Sequence, residues 1–368
     1  MHTHDIIGRL FMVGIPHPFL DDRTHRLLQE LRPGGVILFR RNYTSPKALA
    51  RLCSDIHSLF PDHPLLIALD HEGGRVHRLA SPFTHFPPAA VLGRIGSPTL
   101  AQKVGLVMGQ ELSSIGIDID FAPVLDVLTN PHNTVTGDRA FAADPQVVGL
   151  LGCALMRGLR EGGVIPCGKH FPGHGATLID SHDDLPRDER GEEDLMRTDL
   201  VPFRRAIAEG AEMLMTAHVQ YSALDPSLPA TLSPLIIDEL LRRRLGFQGV
   251  IVTDDLDMGA IVRHFTAEQA AVGALCAGVD LLLVCHQLER AIAARDACVR
   301  ALSSGALPAQ RVEQAEQRLN MLRQTHQPRP PETAALIGSP EHQQLVEEIR
   351  QRVASLDKEP ATVAALKS

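Results

Sequence analysis

The chain has 368 residues and a net charge of −8 at pH 7, and 44% of its residues are hydrophobic. This composition is ordinary for a globular protein, and the length suits one large domain or two smaller ones. Acidic and basic residues are interspersed, which argues against a nucleic-acid-binding surface, and no apolar run reaches the roughly 18 residues of a membrane span.

The first residues show no basic segment followed by a long apolar stretch, so we expect no secretory signal peptide. The cysteines are scattered and contain no C-x-x-C pair, which favours reduced, buried thiols over disulfides and a cytoplasmic location. They are Cys53, Cys153, Cys167, Cys276, Cys285 and Cys298.

Eight short apolar runs are typical of strands, and segments with helical periodicity separate them. Alternating strands and helices predict a parallel sheet whose strands are buried on both faces. Eight units over about 300 residues predict a (β/α)8 TIM barrel. A doubly wound sheet is the alternative, but the first run lacks the glycine-rich phosphate turn of that fold. The predicted strands are Leu10–Ile15, Gly35–Phe39, Leu65–Asp70, Ile117–Asp126, Gly163–His170, Glu212–Val219, Gly249–Asp255 and Val279–Cys285.

The chain after the barrel pattern has a different character. We assign residues 1–325 to one catalytic barrel domain, and residues 326–368 to a proline-rich exit and a short helical tail. In the tail, Ser339 precedes a helical pattern and is predicted to be its N-cap. The tail is too short to form a second domain.

Polar residues collect where the predicted strands end, and the strand starts carry no comparable set. The active site of a TIM barrel lies at the carboxyl ends of its strands, so this asymmetry predicts an enzyme. The strand-end residues are Asp70, Asp126, Lys169, His170, His218, Asp254, Asp255 and His286.

The densest cluster of polar and titratable residues is "CGKHFPGHGATLIDSHDDLP". His170 and His174 have i, i+4 spacing, but the proline and glycines between them disfavour the helix that a zinc motif needs, and no phosphate-loop pattern is present. Asp180 and His182 lie two residues apart, which suits a carboxylate that orients an imidazole for proton transfer. A surface pair without a role is the alternative for these two residues.

Other candidates come from neighbouring strand ends. Asp254 is expected at the barrel mouth, while Asp255 or Asp257 is expected to cap the next helix. In "LDHEGGRVHRL", Asp70 and Arg78 are candidates for binding polar ligand groups, whereas Glu72 and Arg75 are expected to form a structural ion pair. Arg139 suits ligand binding or loop stapling equally well, and His218 is expected to fill the upper barrel.

The motifs "ILFRRN", "DHEGGRVHR", "GDRAF", "KHFPGHGATLIDSH", "TAHV" and "VTDDLDM" follow the order seen in glycoside hydrolase family 3. Over about residues 5–325 the chain resembles the β-N-acetylglucosaminidase (NagZ) branch of that family, in its single-domain, cytoplasmic form. The K-H-F-P-G-H-G-x-x-x-x-D-S-H pattern is highly specific, and it favours a role for Asp180 and His182.

The resemblance implies a role for each matching residue. Asp254 is expected to be the nucleophile and His182 the general acid/base, supported by Asp180. The residues expected to hold the N-acetylglucosamine unit are Asp70, Arg78, Arg139, Lys169 and His170. No metal and no organic cofactor are implied.

The implied activity is retaining hydrolysis of terminal β-linked N-acetylglucosamine from peptidoglycan-derived muropeptides, in cell-wall recycling. The partner is a small carbohydrate, with no nucleic acid or membrane, and the protein is expected to be a monomer. Three alternatives stay open: a phosphorylase, a broader β-glycosidase on the same fold, and an inactive sugar-binding protein.

Overall fold

The structure is a computed structural model that describes residues 3–326 and 336–358. Eight parallel strands form a closed barrel in which each strand pairs with its neighbours in chain order and the last pairs with the first. This confirms the predicted (β/α)8 TIM barrel. The strands are β1 Phe11–Gly14, β2 Gly35–Leu38, β3 Leu66–Leu69, β4 Ile119–Asp120, β5 Ile165–Phe171, β6 Met213–Thr216, β7 Val250–Asp255 and β8 Leu281–Val284.

Helices follow the strands and cover the barrel. They are α1 Thr3–Gly8, α2 Asp22–Leu31, α3 Pro46–His57, α4 Ala89–Ile95, α5 Pro98–Ser113, α6 Pro145–Glu161, α7 Glu192–Arg197, α8 Leu200–Ala208, α9 Gly259–Val262, α10 Ala267–Ala277, α11 Leu288–Ser304, α12 Ala309–Thr325 and α13 Pro340–Leu356. Between β6 and β7 the helix Leu235–Arg244 has the wider turns of a π-helix and ends with a bond from Leu245 N–H to the Leu240 carbonyl.

Each predicted strand lies in the barrel, but the predicted length of the fourth is wrong. Only Ile119 and Asp120 form β4, with a further bridge from Val124 to Lys169. Pro123 stands between these two pairings and has no N–H to donate, so the ladder is interrupted there. Two short pairings outside the barrel were not predicted: a hairpin of His71–Gly73 with Val76–His77, and a parallel pair of Arg187–Asp188 with Gln220–Tyr221.

Glycines allow α5 and α6 to pack backbone against backbone. A Cβ atom at Gly105 would lie 2.3 Å from the Leu155 carbonyl oxygen, and one at Gly158 would lie 2.0 Å from the Gln102 carbonyl oxygen. Both distances are far below a normal contact. These two positions therefore need glycine because the opposite helix is so close, and they fix the wall beside β4 and β5.

The tail helix α13 packs on the barrel. As predicted, Ser339 is its N-cap, and the hydroxyl of Ser339 accepts a bond from the His342 N–H. Leu345, Val346 and Ile349 are buried in the same core as the barrel residues. The proline-rich exit falls almost wholly on residues 327–335, which lie outside the described residues.

The six cysteines all lie within residues 3–326, and none of them is in a disulfide. Within the two described segments, no helix is long and apolar enough to cross a membrane.

Candidate active site

One cavity of about 470 Å³ opens at the carboxyl ends of the barrel strands, and Met215 forms part of its wall. It brings together all eight residues that the sequence singled out as catalytic or sugar-binding. They are Asp70, Arg78, Arg139, Lys169, His170, Asp180, His182 and Asp254.

A buried lysine lies at the deep end of this cavity. Lys169 on β5 is 1% exposed, and its Nζ lies 2.7 Å from Asp70 Oδ1 and 2.6 Å from Glu72 Oε1. Burial alone would lower the pKa of Lys169, but the two carboxylates outweigh burial and raise it. The ammonium group is therefore charged at neutral pH, and it holds Asp70 at the mouth of β3.

Two arginines complete this charged cluster. Burial would raise the pKa values of Asp70 and Glu72, yet Lys169 and Arg78 lower that of Asp70, while Arg139 and Lys169 lower that of Glu72. Arg78 lies 3.3 Å from Asp70, and Arg139 binds Glu72 through two bonds of 2.8 Å. The result is a preorganised set of charges that suits a ligand rich in hydroxyl groups.

The expected ion pair between Glu72 and Arg75 is wrong. The side chain of Arg75 instead donates to the carbonyls of Thr134 and Val135 and lies 3.2 Å from Asp138. The side chain of Glu72 points into the cavity. Glu72 lies in the short hairpin, two residues after Asp70, and it faces Lys169 as Asp70 does.

His170 is held by a carboxylate that the sequence marked only as a strand end. Asp126 is fully buried; its Oδ2 lies 2.8 Å from His170 Nδ1, and its Oδ1 accepts the backbone N–H groups of His170 and His174. Burial would raise the pKa of Asp126, but these contacts with His170 lower it. The ionised carboxylate therefore fixes the ring and leaves Nε2 directed away from it.

Asp254 stands at the end of β7. Burial would raise its pKa, but His170, His218, the Asp255 N–H and Lys169 together lower it, so the carboxylate is ionised at neutral pH. The Asp255 N–H donates to Asp254 Oδ1 at 2.8 Å. A half-buried and ionised carboxylate at this position has the properties of a nucleophile or of a base.

The expectation that Asp255 or Asp257 caps the following helix is wrong. Helix α9 begins after Met258. Asp255 Oδ1 accepts the N–H groups of Asp257 and Cys285, and Asp255 Oδ2 lies 3.3 Å from His286 Nε2. These bonds tie the end of β7 to that of β8.

Asp180 and His182 lie together on the loop after β5. Asp180 Oδ1 accepts the His182 backbone N–H at 2.9 Å and lies 2.8 Å from His182 Nδ1. Burial would raise the pKa of Asp180, but these bonds from His182 lower it. The side chain of His182 is 69% exposed, so its Nε2 can exchange protons with a ligand or with water.

Two further histidines, His174 and His218, are buried and hydrogen-bonded within the protein. His174 is buried, with Nδ1 2.7 Å from Thr177 Oγ1 and Nε2 3.2 Å from Ser181 Oγ, and these bonds shape the loop. His218 is fully buried and binds the Thr231 hydroxyl and the Asp255 carbonyl. It packs inside the upper barrel, as expected.

Sequence reasoning missed the roles of Glu72 and Asp126. Asp126 ends a predicted strand, next to the strand of His170, and this neighbourhood was a usable signal. For Glu72, its spacing from Asp70 was the available signal, but the surrounding glycines favoured a turn. Within residues 3–326 and 336–358, no group of three or more histidine, cysteine, aspartate or glutamate side chains is arranged to hold a metal ion.

The arrangement offers two kinds of chemistry in one cavity. A deep cluster of fixed charges can orient a polyhydroxylated ligand. An oriented imidazole and an ionised carboxylate that border the same cavity can carry out proton transfer and nucleophilic attack.

Comparison with known proteins agrees with this chemistry. The model of the glycosyl hydrolase family 3 N-terminal domain matches residues 3–322. A β-hexosaminidase of Thiobacillus denitrificans is 44% identical over 286 residues, which cover 76% of this chain and 79% of that protein. A β-hexosaminidase of Chromobacterium violaceum is 44% identical over 310 residues, or 82% of this chain and 85% of that protein.

Solved structures resemble the chain over nearly its whole length. A glycoside hydrolase family 3 β-N-acetylglucosaminidase from Paenibacillus superposes with a TM-score of 0.91 at 38% identity, covering 96% of this chain and 69% of that one. NagZ from Neisseria gonorrhoeae, in complex with N-trifluoroacetyl-D-glucosamine, gives a TM-score of 0.79 at 36% identity, covering 93% of this chain and 97% of that one.

Proposed function

This chain belongs to glycosyl hydrolase family 3 and is a glycoside hydrolase of the β-hexosaminidase type, and from that premise we propose that it is a retaining exo-β-N-acetylglucosaminidase. Its proposed substrates are small carbohydrates, namely peptidoglycan-derived muropeptides with a terminal β-linked N-acetylglucosamine. We further propose that the protein is a monomer and acts in cell-wall recycling in the cytoplasm. Reduced thiols such as those of its cysteines are stable in that compartment.

One observation carries the proposal. An ionised Asp254 and an imidazole oriented by Asp180 border the same cavity, so a nucleophile and a proton donor can reach one bound sugar. The cavity ends at the buried cluster around Lys169, which suits a terminal sugar unit better than the middle of a chain. The binding of a glucosamine derivative by the gonococcal NagZ supports the choice of sugar.

In the proposed first step, Asp254 attacks the anomeric carbon and forms a glycosyl ester while the bond to the leaving oxygen breaks. His182 gives its proton to that oxygen. In the second step the neutral His182 takes a proton from water, and the water oxygen attacks the anomeric carbon and releases Asp254. An imidazole in place of a second carboxyl group avoids a second negative charge beside Asp254.

The residues around the sugar have separate proposed roles. Asp70, Arg78, Arg139, Lys169 and His170 bind its hydroxyl and acetamido groups. Because these side chains are fixed by one another and by Glu72 and Asp126, binding loses little additional side-chain entropy.

We would test the proposal with 4-nitrophenyl β-glycosides of N-acetylglucosamine, glucose and xylose, on wild type and on Asp254→Asn. We expect kcat/KM for the N-acetylglucosaminide to exceed the others by at least about 100-fold, because a site built for hydrogen-bonding groups rejects analogues that lack them. Asp254→Asn should fold normally and lose at least about 10³-fold in kcat.

The controls separate the alternatives. The exposed Asp55→Asn makes the same chemical change far from the cavity and should leave turnover unchanged. N-acetylglucosamine 1-phosphate formed in phosphate buffer would identify a phosphorylase. Equal rates on the three sugars would identify a broader β-glycosidase, and no turnover of any of them would favour a sugar-binding protein.

A further inference from the structure

The loop that carries His182 lies directly on the start of helix α9. The Gly259 N–H donates to the His182 carbonyl at 3.2 Å, and the Ala260 N–H donates to the Ser181 carbonyl at 3.0 Å. A third contact joins Asp184 Oδ1 to His264 Nε2 at 2.8 Å. We call residues 259–264 the loop seat.

Gly259 allows this close approach because it has no side chain. A Cβ atom at Gly259 would lie 2.4 Å from the His182 carbonyl oxygen and 2.6 Å from the Asp183 carbonyl oxygen. Gly259 is not among the glycines with positive φ, so its backbone conformation suits any residue. Glycine is therefore needed here for space and not for backbone conformation.

The loop is held at its root and at its far end, and its middle is exposed. At the root, Asn133 Nδ2 donates to the His174 carbonyl at 2.7 Å. The tip side chains of Leu178 and Ile179 are 71% and 48% exposed. The side chain of His182 is mostly exposed, so apart from Asp180 its position depends on the backbone contacts with the loop seat.

The loop seat follows Asp254 closely in the chain. Strand β7 ends at Asp255, and Gly259 comes four residues later. The segment that presents the nucleophile therefore also holds the loop that presents the proton donor. Docking on Gly259 therefore links the position of the His182 loop to that of the Asp254 segment.

We propose that Gly259 is a positioning residue for the acid/base group: a residue without a Cβ atom at this position is what lets the His182 loop dock in its catalytic position. The inference rests on the proposed function, because it treats His182 as the proton donor. It adds a residue that acts through the backbone of the His182 loop.

The test compares Gly259→Ala with wild type on two N-acetylglucosaminides, one with 4-nitrophenol as a good leaving group and one with methanol as a poor leaving group. General acid catalysis matters most for the poor leaving group, and its loss costs about 10²–10⁴-fold. The ratio to compare is kcat/KM for the 4-nitrophenyl glycoside divided by kcat/KM for the methyl glycoside. We expect Gly259→Ala to raise this ratio at least about tenfold, toward the value for His182→Ala.

Gly273→Ala is the matched control. It makes the same change in helix α10, where the new Cβ atom would meet Leu232 at an ordinary 3.6 Å, and it should keep the wild-type ratio. Alanine is the better helix former inside α10, so Gly273→Ala should not melt below wild type. Gly259 also borders a neighbouring cavity, so its substitution could affect sugar binding. Such an effect alone would lower kcat/KM equally for the two glycosides, and that outcome would overturn the proposal.

Two further measurements keep the inference testable. If Gly259→Ala does not fold, His264→Ala removes the contact with Asp184 from an exposed position and should raise the same ratio by about twofold. Thermolysin cleavage before Leu178 or Ile179 should be faster in Gly259→Ala than in Gly273→Ala.

The outcomes distinguish this inference from the proposed function. Suppose that wild type cleaves both substrates. If Gly259→Ala and His264→Ala then show the same kcat/KM ratio as wild type, the positioning role is wrong. If wild type cleaves neither substrate, the proposed function fails, and equal thermolysin cleavage of the two glycine variants would then reject docking on Gly259 as well.

Discussion

At the level of single side chains, the charge cluster around Lys169 carries a large desolvation cost. Removing an ammonium group and two carboxylates from water is unfavourable, and only close pairing offsets this cost. Each carboxylate of Asp70 and Glu72 lies within 2.7 Å of Lys169 Nζ. Glu72 joins the cluster to Arg139 as well, so its loss leaves two buried cations without their shared partner.

Glu72→Gln should lower the free energy of unfolding at pH 7 by about 3–5 kcal/mol, the usual effect of breaking a buried ion pair. The pKa of Glu72 is lowered in the folded protein, so its contribution is present above its usual value near 4.5 and is lost as the pH falls. Urea denaturation should therefore show the difference from wild type shrinking between about pH 5 and pH 3.

Glu193→Gln serves as the control for that change, because its side chain is 84% exposed. It should shift the urea midpoint little at any pH. A Glu72→Gln protein as stable as wild type at pH 7 would contradict the role of Glu72 as a shared partner.

At the level of helices and strands, α13 packs against the barrel domain. Glu111 on α5 is 3% exposed and accepts bonds from Thr84, from the Gly338 N–H and, at 2.8 Å, from His342 Nδ1. We propose that residues 1–325 remain the catalytic domain and that α13 unfolds together with it.

Ile349→Ala tests this coupling, because Ile349 on α13 is 1% exposed. We expect the variant to lose about 2–4 kcal/mol in one cooperative transition, the usual cost of such a cavity. Leu356→Ala, at a 40% exposed position of the same helix, should change stability little. A separate early transition in Ile349→Ala, with the main midpoint unchanged, would show that α13 is independent.

The eight strands could be predicted because parallel strands buried on both faces produce short apolar runs that are recognisable in the sequence. The close packing of α5 on α6 could not, because a glycine such as Gly105 has no periodic signature and its partner lies about fifty residues away. The same limit applied at the active site. Residues at strand ends were predictable, whereas the pairing of Glu72 with Arg139 depends on the meeting of two distant loops.

For the molecule as a whole, buried histidines should set the response to mild acid. Burial lowers the pKa of His63 to about 3 and that of His77 to about 4, and it lowers that of His71 well below its usual value. The rings of His71, His77 and His85 lie in a row with centroids 4.2 and 4.1 Å apart. Protonating two neighbouring rings in this row would place two positive charges side by side.

Stability should therefore fall between about pH 7 and pH 5, above the range in which carboxylates titrate. The unfolded chain takes up protons near pH 6.5 and the folded protein does not, so each such histidine contributes up to about 1.4 kcal/mol per pH unit. Urea midpoints at several pH values would measure the slope. His77→Gln should flatten it, whereas the exposed His132→Gln should not, and a wild-type midpoint independent of pH would contradict the prediction.

The unpaired cysteines have a practical consequence for testing whether the His182 loop moves. Five of the six are buried, and burial raises the pKa of the partly exposed Cys276 as well, so thiol reagents should react with them slowly. A single Leu178→Cys substitution at the exposed loop tip would then accept a fluorescent label in an otherwise native background. Its emission would report in real time whether the loop leaves Gly259 during turnover.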